Sequence, residues 1–198
     1  MRFALLLGLT VALAGCGQAS DQPKGAPKAT PTPFVKGGWA TVFADPAETV
    51  SLLDRMGFRM SGYTPVQGVY RAIAQATPMA DPAATPINMA NLMVEGDASR
   101  LNTLRYSLDL VNLDTSPFAK TQFIRWVTKP MDQLGLDGKD AVSAAIQTES
   151  ATTGHLTGAD YHVTRDKIDG GRRLVVTFTR PEVMSGQQNQ GSNDGNRR

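Results

Sequence analysis

Residues 160–180 read "DYHVTRDKIDGGRRLVVTFTR", two runs of alternating character that meet at Asp169-Gly170. An aspartate-glycine pair between alternating runs is a strong short-range signal for a β-hairpin with a type I′ turn. In that register Tyr161 faces Phe178, Val163 faces Val176, Asp166 faces Arg173, and Lys167 is set against Arg172. A turn one residue later, at Gly170-Gly171, keeps every side chain on the same face. The hairpin therefore commits the fold to antiparallel pairing.

Working outward, "LRYSLDLV" (104–111) alternates cleanly. Leu104, Tyr106, Leu108 and Leu110 fall on one side, and Arg105, Ser107 and Asp109 on the other, which is the pattern of a half-buried strand. Ile87 to Glu95 is apolar on both faces and suits a central strand. It pairs antiparallel with 104–111 through the short Gly96-Asp97 connection. "FRMSGY" (58–63) and "GVYRAIAQA" (68–76) read as two further strands separated by Thr64-Pro65. The stretch holding Pro78, Pro82 and Pro86 reads as a loop, because proline cannot donate to a sheet ladder. Trp39 to Phe43 is a short candidate strand.

Helix signals are local too. Asp45 is placed to cap a helix over 46–56, with Pro46 at its first position, Glu48 three residues after the cap and Gly57 closing it. Val50, Leu53 and Met56, flanked by Leu52, give it an apolar stripe. Ser116-Pro117 starts a second helix whose buried side is Phe118, Phe123, Trp126 and Val127. Pro130 ends or kinks it, with a short turn at 131–134, and a third helix covers 139–148. These elements predict an α+β fold, an antiparallel sheet of about five to seven strands with about three helices mainly on one face. No self-similarity at repeat length is present.

The composition is that of a folding chain, 41% hydrophobic and 19% charged, far from the polar, highly charged corner of disorder. A formal charge of +2 with no block of like charge excludes the electrostatic footprint of a nucleic-acid binder. Gly17 to Pro33 carries prolines at 23, 27, 31 and 33 and no large apolar side chain, so an extended linker with a reach of roughly 50 Å is expected. The stretch from Ser185 onward also lacks apolar residues and reads as a disordered tail. The folded domain is thus expected over residues 34–184.

The first residues have a basic start (Arg2), an uncharged apolar run from Ala4 to Leu13, and then Ala14, Gly15 and Cys16, the only cysteine. That run is too short to span a bilayer, which takes about 20 helical residues. Leu13-Ala14-Gly15-Cys16 resembles the lipobox of bacterial lipoprotein signals: a leucine, two small residues and a cysteine. The resemblance implies that residues 1–15 are removed and that Cys16 becomes the acylated N-terminus of a segment, 16–33, that joins anchor to domain. A single acyl chain holds a protein reversibly and two hold it stably, at about 0.8 kcal/mol per buried methylene. A di- or triacylated Cys16 would therefore remain membrane-bound. Gly17 in place of aspartate after the cysteine favours the outer membrane over the inner one in this family.

Chemistry-bearing patterns are sparse. His155, His162 and Asp160 lie close in sequence, yet "HLTGADYH" has no metal-ligand spacing, so no metal or other cofactor is expected. "GHLTG" (154–158) outlines a nucleophile elbow with leucine where the serine belongs. "KGGW" and "DGGRR" lack the strand, loop and helix of a phosphate cradle. Glu95 and Asp109, on candidate paired strands, form the one carboxylate pair worth testing, and their ordinary reading is two solvated acids. Tyr161, Phe178, Trp126 and Phe123 read as core aromatics. Arg165, Lys167, Arg172, Arg173 and Arg180 form a candidate basic strip for anionic headgroups or cell-wall polymers, or a guard against edge pairing.

The resulting expectation is a lipid-anchored, periplasm-facing envelope protein. Its domain is a non-enzymatic binding or structural module for an envelope partner, and no catalytic residue is assigned. The alternatives are an envelope hydrolase built from carboxylates that the fold brings together, and a lipid or small-ligand carrier with an apolar cavity between sheet and helices.

Overall fold

A computed structural model describes residues 37–80 and 84–181. The leader, Cys16, the linker, Pro82 and the C-terminal stretch lie outside the described residues. Within them the chain forms, in order, α1 (Gly38–Ala44), α2 (Pro46–Arg55), β1 (Thr64–Val66), β2 (Val69–Ile73), β3 (Thr77–Pro78), β4 (Met89–Gly96), β5 (Leu101–Leu110), α3 (Ser116–Leu134), α4 (Lys139–Thr148), β6 (Thr152–Leu156), β7 (Ala159–Ile168) and β8 (Gly171–Thr179). The fold is α+β. All pairings are antiparallel, in the order β1-β2-β4-β5-β8-β7-β6, with β3 adding to β4 beyond the end of β2. The helix pairs α1–α2 and α3–α4 each precede a three-stranded run, β2-β4-β5 and β6-β7-β8, and the two runs join at β5 and β8.

The hairpin register is the expected one, Tyr161 opposite Phe178, Val163 opposite Val176, Asp166 opposite Arg173 and Lys167 opposite Arg172. Ile168 opposite Gly171 leaves Asp169-Gly170 as the loop. Positive φ is confined to Gly170 (72°), however, so the turn is not type I′, which needs it at both loop residues. The left-handed backbone falls where no Cβ resists it. The I′ pattern occurs instead at Gln67 (φ 51°) and Gly68 (φ 85°), between β1 and β2.

Side-chain alternation divides the sheet. Phe178, Leu104 and Val94 form one cross-strand row and Val176, Tyr106 and Leu92 the next, all buried on the face that the helices cover. Trp39 stacks on Phe178 at 4.3 Å, and Trp126 meets Phe58 at 4.8 Å and Tyr106 edge-on at 5.7 Å. Burial also pushes the Tyr106 hydroxyl far above the ordinary phenolic range.

Several expectations are corrected. Residues 39–43 are helical, not a strand, because Trp39, Val42 and Phe43 recur at i, i+3 and i+4 and bury together on one helical face. With α1 there are four helices among the described residues. "FRMSGY" contributes only the bridge from Met60 to Ala74, and the strand begins at Thr64. Pro65 and Pro78 lie within strands, but at the margin of the sheet, where a missing donor breaks no ladder. Pro130 sits inside α3, which continues through 131–134. Val127, Met131 and Leu134 are buried along that helix, and Gly135, at φ 68°, closes it with its N–H on the Met131 carbonyl. Phe118 is 52% exposed; at about 100° per residue it lies some 140° around the helix from Phe123. On α2 the buried face is Pro46, Thr49, Leu52 and Leu53, continued by Met56 at the C-cap, with Val50 at its margin. β6 was not anticipated.

The Asp45 cap is present, its Oδ1 accepting the Glu48 N–H at 3.0 Å. Asp45→Ala is expected to lower stability by about 1 kcal/mol, read as a shift of the urea midpoint at constant m-value.

Candidate functional site

The face of the sheet turned away from the helices is built by the other half of each alternation. One row runs His155, Asp160, Thr179, Thr103, Glu95, Arg71 and Thr64 across six strands and the β6 edge. The next runs Thr153, His162, Thr177, Arg105, Met93 and Ile73. Two shorter rows follow, Thr164–Val175–Ser107–Asn91 and Asp166–Arg173–Asp109–Met89. Among the described residues no helix covers this face.

The surface is mixed rather than simply polar. Val66, Val69 and Ile73 are each about two-fifths exposed, at 39%, 40% and 41%, and form an apolar stripe along β1 and β2. Ile73, Met93, Met89 and Val175 border a shallow depression of about 500 Å³, together with Arg105, Ser107, Asp109 and Arg173. Val175 is buried although it lies on the open side. Two ion pairs lie on this face, and one of them, Arg173–Asp109, lines the depression. Arg71 Nη2 meets Glu95 Oε1 at 2.9 Å, and Arg173 grips Asp109 with two N–H groups at 2.5 and 2.8 Å. The Asp109 carboxylate raises the Arg173 guanidinium above its ordinary range against the opposing effect of burial.

The two candidate acids are not brought together. Thr103 faces Glu95, and Asp109 lies six residues further along β5, which separates the two by about 20 Å at the rise of a strand. Each acid is held by its own arginine. His155 Nδ1 lies 2.6 Å from Asp160 Oδ1, with the imidazole side chain 93% exposed, and His162 stands one row away. No group of three metal-ligating side chains occurs among the described residues. "GHLTG" is the end of β6 and its turn into β7. "DGGRR" is the hairpin loop and the start of β8.

Of the candidate aromatics, Phe123 and Phe178 are fully buried, while Trp126 and Tyr161 pack against the core from its margin. The basic strip divides by strand parity. Arg173 lies on the open face with Asp109, whereas Arg165, Lys167 and Arg172 lie on the other side, where Glu149 takes Arg172 and Arg165. Arg180 donates to Asn102 at the far end of the sheet. Arg71, Ile73, Val66 and Val69 carry no local signal for this surface, because the pairing of β2 with β4 sets which side of β2, and through it of β1, is open. The chain matches no protein-family model, no curated protein and no solved structure.

Proposed function

We propose that the chain is a lipid-anchored, periplasm-facing envelope protein, held to the outer membrane through Cys16, whose domain binds an envelope protein on the open face of the sheet. The observation that carries the binding role is the apolar stripe Val66–Val69–Ile73 lying beside a depression bounded by Met89 and Met93 and lined by the Arg173–Asp109 ion pair, with the Arg71–Glu95 pair elsewhere on the same face. An apolar centre with a polar, charged rim is the anatomy of a protein interface, and exposed apolar side chains grouped on one face mark interaction surfaces. The anchor rests on the lipobox resemblance.

A hydrolase is the weaker reading, since the acids it would use stand about 20 Å apart along the strands and both are neutralised by arginine. A carrier would need free space between sheet and helices, and Trp39, Phe43, Phe58, Tyr106, Phe123 and Phe178 fill that interface.

The test joins the two parts. The parent chain is expected in the membrane fraction with the mass of a diacylglyceryl group on a mature N-terminal cysteine, and Cys16→Ser is expected to lose both. A photocrosslinking amino acid at Ile73 or Arg105 is expected to trap one defined partner in intact cells, while the same group at Ala144, on the exposed side of α4, traps none. Identical fractionation of the serine variant would remove the anchor, and crosslinks that ignore position would remove the open face as the interface.

A further inference from the structure

We infer that the helix side of the turn end of the β7–β8 hairpin is a binding site for the phosphate of an anionic amphiphile, a site distinct from the open face and independent of Cys16. A concavity of about 620 Å³ lies there, lined by Leu113, Arg165, Lys167, Ile168 and Arg172. Asp166 also borders it, but in the register its residue belongs to the opposite face, across from Arg173, whose charge it supports.

Three cations collect around one acid, and a fourth stands beside them. Glu149 accepts two hydrogen bonds from Arg172, lies 3.2 Å from Lys120 Nζ and 3.6 Å from Arg165 Nε. Among the described residues Lys167 has no acid within salt-bridge distance, and it stands directly opposite Arg172 on the neighbouring strand. Like charges directly opposite one another destabilise a strand pair, so the fold carries an excess of positive charge here at some cost. An oxyanion is the chemistry that relieves it. Arg172 is oriented by its two-point grip on Glu149, which preorganises the site, while Arg165, 55% exposed at its side chain, and Lys167 keep donors free for a ligand. Leu113, 50% exposed, puts an apolar wall beside the charges. A bare ion has no use for that wall, whereas the glycerol and first methylenes of a phospholipid cover it.

The full chain, purified in a nonionic detergent, is titrated with inorganic phosphate, with a short-chain phosphatidylglycerol and with its phosphatidylcholine counterpart, reading amide shifts at residues 165–172. Phosphatidylglycerol is expected to shift these amides, with weaker binding at high salt. Lys167→Ala and Arg165→Ala are each expected to weaken binding about fivefold, the effect of one basic residue near an anionic lipid surface. Both residues are exposed, so these variants keep the fold. Phosphatidylglycerol binding that exceeds phosphate and phosphatidylcholine assigns a lipid headgroup, and equal binding of inorganic phosphate assigns a free phosphate as the source. No shift with any of the three, or binding that both variants leave unchanged, overturns the site.

Discussion

Asn88→Ala is expected to lower the stability of the domain by about 3–5 kcal/mol, since it leaves a cavity at a fully buried site and orphans several part-buried backbone groups, for which about 1–3 kcal/mol each is the upper bound. In a domain of this size that is a drop of roughly 10 °C in Tm. Asn88 is fully buried just before β4, and its amide meets four groups. Oδ1 accepts the N–H of Val111 at 2.9 Å and of Asn112 at 2.8 Å, while Nδ2 donates to the Asn112 carbonyl at 2.9 Å and to Thr115 Oγ1 at 3.1 Å. Those partners belong to the corner between β5 and α3, where the chain has left the ladder and has not yet begun the helix. Backbone groups at such a corner need partners from elsewhere, and one asparagine supplies both acceptor and donor. Asn88→Asp keeps the shape but points a carboxylate oxygen at the Asn112 carbonyl, so it is expected to be no more stable than alanine at neutral pH and to recover in part as acid protonates it. Chemical denaturation measures both variants, and amide exchange across 111–116 should speed up first. A loss under about 1 kcal/mol would mean that other groups hold this corner.

The elements that were legible are those whose signals are local. The β7–β8 hairpin is written in one continuous stretch, with alternation on both arms and an aspartate-glycine between them, and its register follows from arithmetic. α2 carries its own punctuation in Asp45, Pro46 and Glu48, and the face of β5 follows from strict alternation over eight residues. What failed were cases where tertiary packing outweighed a local rule. Proline at 130 should end a helix, yet Val127, Met131 and Leu134 bury along one line and Gly135 provides the stop. Proline at 65 should divide two strands, yet at the sheet margin it is harmless. Half of the candidate site was hidden for another reason, because Arg71 meets Glu95, and Ile73 meets Met93, only through pairing of β2 with β4. Such a pairing joins residues twenty or more positions apart and leaves no trace in local spacing. Asn88 was invisible for the same reason: its four partners lie in another part of the chain.

Glu149→Gln is expected to lower stability by about 1.5–3 kcal/mol at neutral pH, the usual worth of hydrogen bonds to a charged group, and the loss is expected to vanish in acid. Glu149 ends α4 in the left-handed region, φ 53°, with its side chain 11% exposed between Arg172 and Lys120, themselves 21% and 13% exposed. The Arg172 hydrogen bonds, with help from Lys120, hold the carboxyl below its ordinary 4.5, although burial pushes it the other way. A group whose pKa is depressed on folding contributes fully above its unfolded value and loses the contribution as pH falls through the folded one. The parent should therefore lose this increment below about pH 4.5, while glutamine, which does not titrate, loses nothing there. Plotted against pH, the two stability curves should separate at neutrality and converge in acid. Glu149→Gly removes the same charge but also the left-handed penalty of a Cβ, about 1–2 kcal/mol, so it should be the more stable of the two variants. Curves for parent and Glu149→Gln that stay parallel from neutrality into acid would show that the carboxylate is not what holds α4, α3 and the hairpin together, and the three cations around it would then need another source of compensation.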